Sequence, residues 1–165
     1  MRLGIAADHA GQRLKTALTA YLRSRGHEVR EYGPLSEPDD DYPLIARVLG
    51  EALQRGEVER AIFCCGSGIG PAVALNKMSG IRAALVDNEW SARDAVSHVD
   101  VNALTLGERV IGEELAKSIV DAYLGAQPEG GRHERRRKQI SDMESRAPSS
   151  SPATRESTSR VTTSG

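Results

Sequence analysis

The run Ala61-Ile62-Phe63-Cys64-Cys65, followed by Gly66-Ser67-Gly68-Ile69-Gly70, constrains this chain most. Apolar and thiol residues in an unbroken row read as a strand buried on both faces. A glycine-rich turn ends it, and Pro71 to Lys77 reads as the start of a helix. Such a junction points free backbone N–H groups into one small space. Those donors suit a phosphate or a developing oxyanion. Cys65 stands at the edge of that field, where a helix N-terminus is expected to lower a thiol pKa. A base beside an oxyanion site is a catalytic arrangement.

The rest of the chain repeats the strand-then-helix pattern. Leu3 to Ala7 is a short apolar strand, with Asp8 as a possible helix N-cap. Leu14, Leu18 and Leu22 recur at helical spacing until Gly26. Glu28 to Tyr32 is a second strand, and Gly33 to Asp41 a loop. Pro43 suits the first turn of a helix running to about Arg55. Strands are expected at Ile81 to Val86 and Ala103 to Leu106, and helices at Glu89 to Ser97, Gly112 to Leu124 and Arg132 to about Arg146. The expected fold is α/β: a doubly wound, five-stranded parallel sheet in a three-layer, Rossmann-like arrangement. In such sheets ligands sit beyond the carboxyl ends of the strands. Asp8-His9, Cys65-Gly66-Ser67 and the segment after Leu106 all fall there.

Residues 1–146 form one expected domain, and residues 147–165 a tail. Ten of the last nineteen residues are Ser or Thr, too polar to build a core, so disorder is expected. A net charge of -1 gives no global attraction to nucleic acid or membrane. Aromatic content of 4% argues against base-stacking surfaces. No apolar run nears the roughly 18 residues of a membrane span. The adjacent cysteines suit a reducing compartment, so a cytoplasmic protein is expected. The histidines show no HxxxH or HxH spacing and no CxxC occurs, so no metal site is expected.

Each motif has a plainer reading. The glycine turn matches neither the dinucleotide nor the P-loop spacing, and can be structural. Cys64 should face away from Cys65 as a small core residue. Asp8-His9 is either a cap with a solvated imidazole or part of a site. His98 near a helix C-terminus can simply gain from the dipole. The run from Arg132 to Lys138 is either a solvated face or, through Arg132 and Arg136 on one side of a helix, a phosphate grip.

Eight pieces then occur in order: ADHAG (Ala7 to Gly11), DYP (Asp41 to Pro43), CGSGIG (Cys65 to Gly70), LNK (Leu75 to Lys77), GIRAAL (Gly80 to Leu85), HxDxN (His98 to Asn102), GERVIG (Gly107 to Gly112) and GGRHERR (Gly130 to Arg136). Together they resemble the type B ribose-5-phosphate isomerases, grouped with the galactose-6-phosphate isomerase subunits. The resemblance covers about residues 1 to 146. It implies a cofactor-independent aldose–ketose isomerase of sugar phosphates in the pentose phosphate pathway, acting through an enediolate. It implies Cys65 as the base, assisted by Ser67. His98 would open the sugar ring, with Asp8 holding hydroxyls. Backbone N–H groups of Gly66, Gly68, Ile69 and Gly70 would stabilise the enediolate. His9, Arg109, Arg132 and Arg136 match phosphate-binding positions, and Tyr42 a residue near the sugar. The implied assembly is a homodimer with shared sites, or a tetramer of two such dimers.

Two positions depart from the family pattern. Val99 stands where Asn commonly follows the ring-opening histidine, and Leu75 where Ala is usual. Loss of that amide is expected to shift preference among sugars, so another four- to six-carbon sugar phosphate is the alternative substrate. A non-catalytic phosphate-binding module and a thiol redox sensor are rival classes. Asp8, Cys65 and His98 argue against the module, since binding alone needs no base; a sensor using Cys64 and Cys65 is separated by mass spectrometry after mild oxidation, which would reveal a reversible adduct.

Overall fold

The computed structural model describes residues 1–33 and 41–145. Most of the Gly33 to Asp41 loop and the tail at 147–165 lie outside the described residues.

The strands are β1 (Arg2–Ala7), β2 (Glu28–Tyr32), β3 (Arg60–Cys65), β4 (Ala83–Leu85) and β5 (Ala103–Gly107). They form one five-stranded sheet in the order β2-β1-β3-β5-β4. All pairings are parallel. The helices are α1 (Gln12–Ser24), α2 (Tyr42–Gln54), α3 (Ile69–Leu75), α4 (Glu89–Val99), α5 (Glu113–Gly125) and α6 (Arg132–Ser145).

Strand side chains alternate between two cores, as the pleat requires. Leu3, Ile5, Ile62, Cys64, Leu104 and Leu106 face α1, α4 and α5. Ala6, Ala61, Phe63, Cys65 and Ala103 face α2 and α3. The expected three-layer, doubly wound fold is therefore present. Leu18 and Leu22 of α1 are fully buried. Each such side chain contributes about 1.5–3 kcal/mol by leaving water.

Local boundaries differ from the sequence expectation in three places. Asp8 does not cap α1; Gly11 holds the cap position. Asp8 instead folds back, its Oδ1 accepting from the Ala10 N–H at 2.9 Å. The helix after the glycine turn already ends at Leu75, because Asn76 closes it and binds the Ala83 backbone on both sides. Strand β4 is only Ala83–Leu85; before it, the Arg82 N–H donates to the Asn102 side chain and its guanidinium pairs with Asp100.

The sheet order places the functional crevice. After β1 the chain enters α1 on one face, and after β3 it enters α3 on the other. Adjacent strands whose connections leave to opposite faces open a gap at their carboxyl ends. Ala7 pairs with Cys64 across that boundary. Asp8 and Cys65 are thus brought to the mouth of the gap.

Candidate active site

Cys65 ends β3 and is 9% exposed. Its Sγ donates a hydrogen bond to Asp8 Oδ2 at 2.9 Å. Burial raises the thiol pKa most, and the bond to Asp8 raises it further. Backbone N–H groups of Gly68 and Ser67 act in the opposite direction. The net shift is upward, against the expectation that the turn would lower it. The physical reason is that a buried thiolate beside a carboxylate loses more solvation and gains more repulsion than those N–H groups return.

The glycine turn is shaped by close approaches. Gly68 has φ of 79°, a left-handed conformation that only glycine adopts without strain. Across the gap, Gly11 sits against the Cys64 carbonyl and the Cys65 nitrogen, with no room for a Cβ. That contact sets α1 directly against the end of β3. A Cβ on Gly70 would stand 2.7 Å from the Tyr42 ring, and one on Gly66 3.4 Å from the Arg109 guanidinium. Tyr42 and Arg109 therefore flank the turn. Tyr42, Ser67, His9 and Arg109 are exposed at the mouth of the crevice.

The loop after β5 is tied to the turn. Glu108 N donates to Cys65 O at 2.8 Å, and Arg109 N to Gly66 O at 3.0 Å. The Glu108 carboxylate accepts from Leu14 N at 2.9 Å, meeting a free donor in the first turn of α1. Glu108 thus joins α1, β3 and the Arg109 loop. A cavity of about 280 Å³ opens beside Ser67, lined also by Ile69, Leu85, Val86 and Val110.

His98, Arg132 and Arg136 are not gathered here. Helix α4 starts after β4 and ends just before β5. Strand β5 begins at Ala103 opposite Ala61 and ends at Gly107 opposite Cys65. His98 therefore lies at the amino end of the strands, opposite the carboxyl end that holds Cys65. Helix α6 packs on α4. His98 stacks on His133 with ring centroids 3.9 Å apart. Its Nδ1 lies 2.6 Å from Asp94 Oδ1, and its Nε2 4.0 Å from Glu129 Oε2. Arg137 donates to the backbone carbonyls of His98 and Glu129.

Asp94, Glu129 and His133 were missed by reading the sequence. The spacing of Asp94 and His98 on one helix was a usable signal. His98, Glu129 and His133 place potential ligand atoms within 4.8 Å of one another. The two rings are nearly parallel, at 14°, so their lone pairs run side by side rather than converging on one ion. Arg132 Nε also donates to His133 Nε2 at 3.0 Å. As arranged, the trio is a stacked imidazole pair with Glu129 Oε2 standing 4.0 Å from His98 Nε2 and 3.8 Å from His133 Nε2, beyond hydrogen-bond distance. Burial first, then the adjacent His98, holds His133 below the ordinary imidazole pKa.

A model of the Ribose/Galactose Isomerase family matches residues 3–140. The chain belongs to this family. It is 44% identical over 145 residues to ribose-5-phosphate isomerase B of Escherichia coli K12, covering 88% of this chain and 97% of that protein. It is 41% identical over 133 residues to D-erythrulose-4-phosphate isomerase of Pectobacterium atrosepticum, covering 79% and 87% respectively. The solved structure of ribose-5-phosphate isomerase B from Clostridium thermocellum superposes with a TM-score of 0.84 at 43% identity, over 88% of this chain and 98% of that one. The Mycoplasma genitalium enzyme, solved with bound ribulose-5-phosphate, superposes with a TM-score of 0.82 at 34% identity, over 88% and 97%.

In this member of the ribose/galactose isomerases, Val99 and Leu75, the two positions that the sequence reading expects to depart from the family pattern, both pack against the cores. Val99 packs partly buried against the core shared by α1, α4 and α5. Its side chain joins the apolar packing where an amide would need a polar partner. Leu75, the other such position, is fully buried against α2. No helix among the described residues is long and apolar enough to cross a membrane.

Proposed function

We propose that this protein interconverts ribose 5-phosphate and ribulose 5-phosphate, with Cys65 as the proton-transfer base. One observation carries the assignment. The Sγ of Cys65 stands at the carboxyl end of β3, hydrogen-bonded to Asp8 and bordered by the glycine turn. After ring opening, Cys65 as thiolate takes the proton from C2 of the aldose. The electron pair moves to the carbonyl oxygen and forms the enediolate. Backbone N–H groups of Gly66, Gly68, Ile69 and Gly70, with Ser67, stabilise that charge. Cys65 then returns the proton to C1 while the proton on O2 passes to O1, which leaves the C2 carbonyl and C1 hydroxyl of the ketose. Asp8 holds substrate hydroxyls and accepts the Cys65 proton before the cycle.

Ring opening falls to His98, and phosphate binding to His9, Arg109, Arg132 and Arg136. Because His98, with α6 and its Arg132 and Arg136 packed on α4, lies at the opposite end of the strands from Cys65, the reading requires a homodimer in which a second copy completes each site. Exposed apolar side chains support such an interface: Ile69, Val73, Leu85 and Val110 are 59%, 57%, 43% and 62% exposed beside the crevice. Pairing of such dimers into a tetramer extends the same proposal.

A second reading is a four-carbon sugar phosphate as preferred substrate. It is favoured by Val99 and by a relative named for D-erythrulose 4-phosphate at nearly the same identity as the ribose 5-phosphate enzyme. The deciding experiment is turnover of a panel of four- to six-carbon sugar phosphates, followed by NMR. The proposal holds if ribose 5-phosphate gives the highest kcat/KM. Absence of aldose–ketose turnover on the whole panel overturns it in favour of a binding module.

A further inference from the structure

We propose that Asp94 is a positioning residue for ring opening, holding His98 by its Nδ1 so that Nε2 is the nitrogen presented to the sugar. This rests on the ring-opening role given to His98 above. The Nδ1···Asp94 Oδ1 distance is 2.6 Å, one helical turn apart on α4. Both side chains are about one-third exposed, so the pair meets solvent and a ligand can reach it. The opposite ring face is fixed by stacking on His133. The main chain beneath is tied by Arg137. His98 therefore has its ring plane set by His133 and its rotation about that plane set by Asp94.

The chemistry needs that restraint. Opening a furanose ring requires a proton delivered to the ring oxygen while the anomeric hydroxyl gives one up. A neutral imidazole can serve only if the correct nitrogen faces the substrate. A carboxylate at Nδ1 accepts an N–H and cannot donate, so it holds the proton there and leaves Nε2 as the exchanging atom. Glu129 Oε2, 4.0 Å from that Nε2, borders the open side. Trp90, Arg93 and Ser97 line the small cavity that His98 shares with Asp94 and Glu129. An Asn at position 94 can turn its NH₂ toward Nδ1, which favours the opposite tautomer.

Two substrates separate ring opening from proton transfer. Ribose 5-phosphate is predominantly a furanose. Ribulose 5-phosphate has no free hydroxyl that can close a five-membered ring on C2, so it is acyclic. Exchange of solvent deuterium into its C1 therefore reports proton transfer without ring chemistry. For Asp94→Asn and Asp94→Leu, kcat/KM for ribose 5-phosphate should fall about 10–100-fold, the range for a residue that orients an acid–base group. Deuterium exchange into ribulose 5-phosphate should stay within about threefold of wild type, and Asp94→Glu should recover part of the loss. Equal loss of both readouts would mean that Asp94 merely supports α4, and would overturn the inference. Full retention of both would overturn it too. His98→Asn keeps the two proposals apart. If it spares conversion of ribose 5-phosphate, the ring-opening role itself is wrong. If it abolishes conversion while Asp94→Asn does not, only the inference about Asp94 fails.

Discussion

The Cys65 thiol and the Asp8 carboxylate are joined by a 2.9 Å hydrogen bond across the β1–β3 boundary. In the proposed mechanism, a thiol in that position is a base held in reserve. Its proton has an acceptor already in contact, yet burial and the same carboxylate keep the thiolate unfavourable. Substrate charge and backbone donors must supply the remaining stabilisation. Cys65→Ala is expected to lower kcat by about 10²-fold or more, the scale for loss of a general base. Cys64→Ala should keep most activity, because Cys64 points into the opposite core. Steady-state kinetics of the two variants check both expectations.

The pH dependence follows from the direction of the Cys65 shift. A raised thiol pKa means that the folded state favours the protonated form. The thiolate therefore appears later on raising pH than in the unfolded chain, and the stability this group confers is lost as pH climbs from the unfolded toward the folded pKa. Asp8→Asn removes a charge that opposes the thiolate. The pH midpoint for alkylation of Cys65 by iodoacetamide should then move down. An unchanged or higher midpoint would show that burial alone governs the thiol.

Arg136 is tested through the phosphate. Arg132 and Arg136 lie one turn apart on the exposed side of α6. Arg136→Ala should raise KM for the sugar phosphate about tenfold to a hundredfold, the worth of one charge-assisted hydrogen bond. Turnover of the unphosphorylated sugar should hardly change. Equal effects on both substrates would show that Arg136 does not read phosphate.

Gly11 provides a structural test. It lies against the main chain of Cys64 and Cys65, and backbone cannot yield as a flexible side chain can. Gly11→Ala should destabilise the fold by about 1–3 kcal/mol. The same displacement would pull α1 and Asp8 away from Cys65 and lower kcat. Urea unfolding and kinetics on one preparation measure both effects, and a variant of wild-type stability would contradict the packing seen here.

Val99 separates packing from specificity. It is partly buried against the α1–α4–α5 core, so Val99→Asn places an amide against apolar neighbours. The expected result is a loss of about 1–3 kcal/mol in stability, the cost of a buried amide without a partner. A gain in kcat/KM for ribose 5-phosphate over a four-carbon rival would show that position 99 also sets substrate preference. Competition assays with both sugars read the ratio directly.

Local pattern in the sequence determined the strands, the helices and the doubly wound class. Buried strands announce themselves as apolar runs such as Ala61–Cys65, and core helices by spacings such as Leu14, Leu18 and Leu22. The opposite facing of Cys64 and Cys65 was equally legible, since it follows from strand alternation alone. What only the tertiary structure decided was which distant residues meet. Asp8 reaches Cys65 because β1 and β3 are neighbours in register, a pairing set by the strand order and not by anything local to either residue. The sign of the Cys65 shift was misread for the same reason. The helix N-terminus was visible in the sequence, whereas burial and the Asp8 carboxylate exist only once the sheet has closed around the thiol. His98 and its neighbours Glu129 and His133 come together away from Cys65 because α6 folds back over α4. Solvation and charge act through space, and contacts through space are what a reading along the chain does not contain.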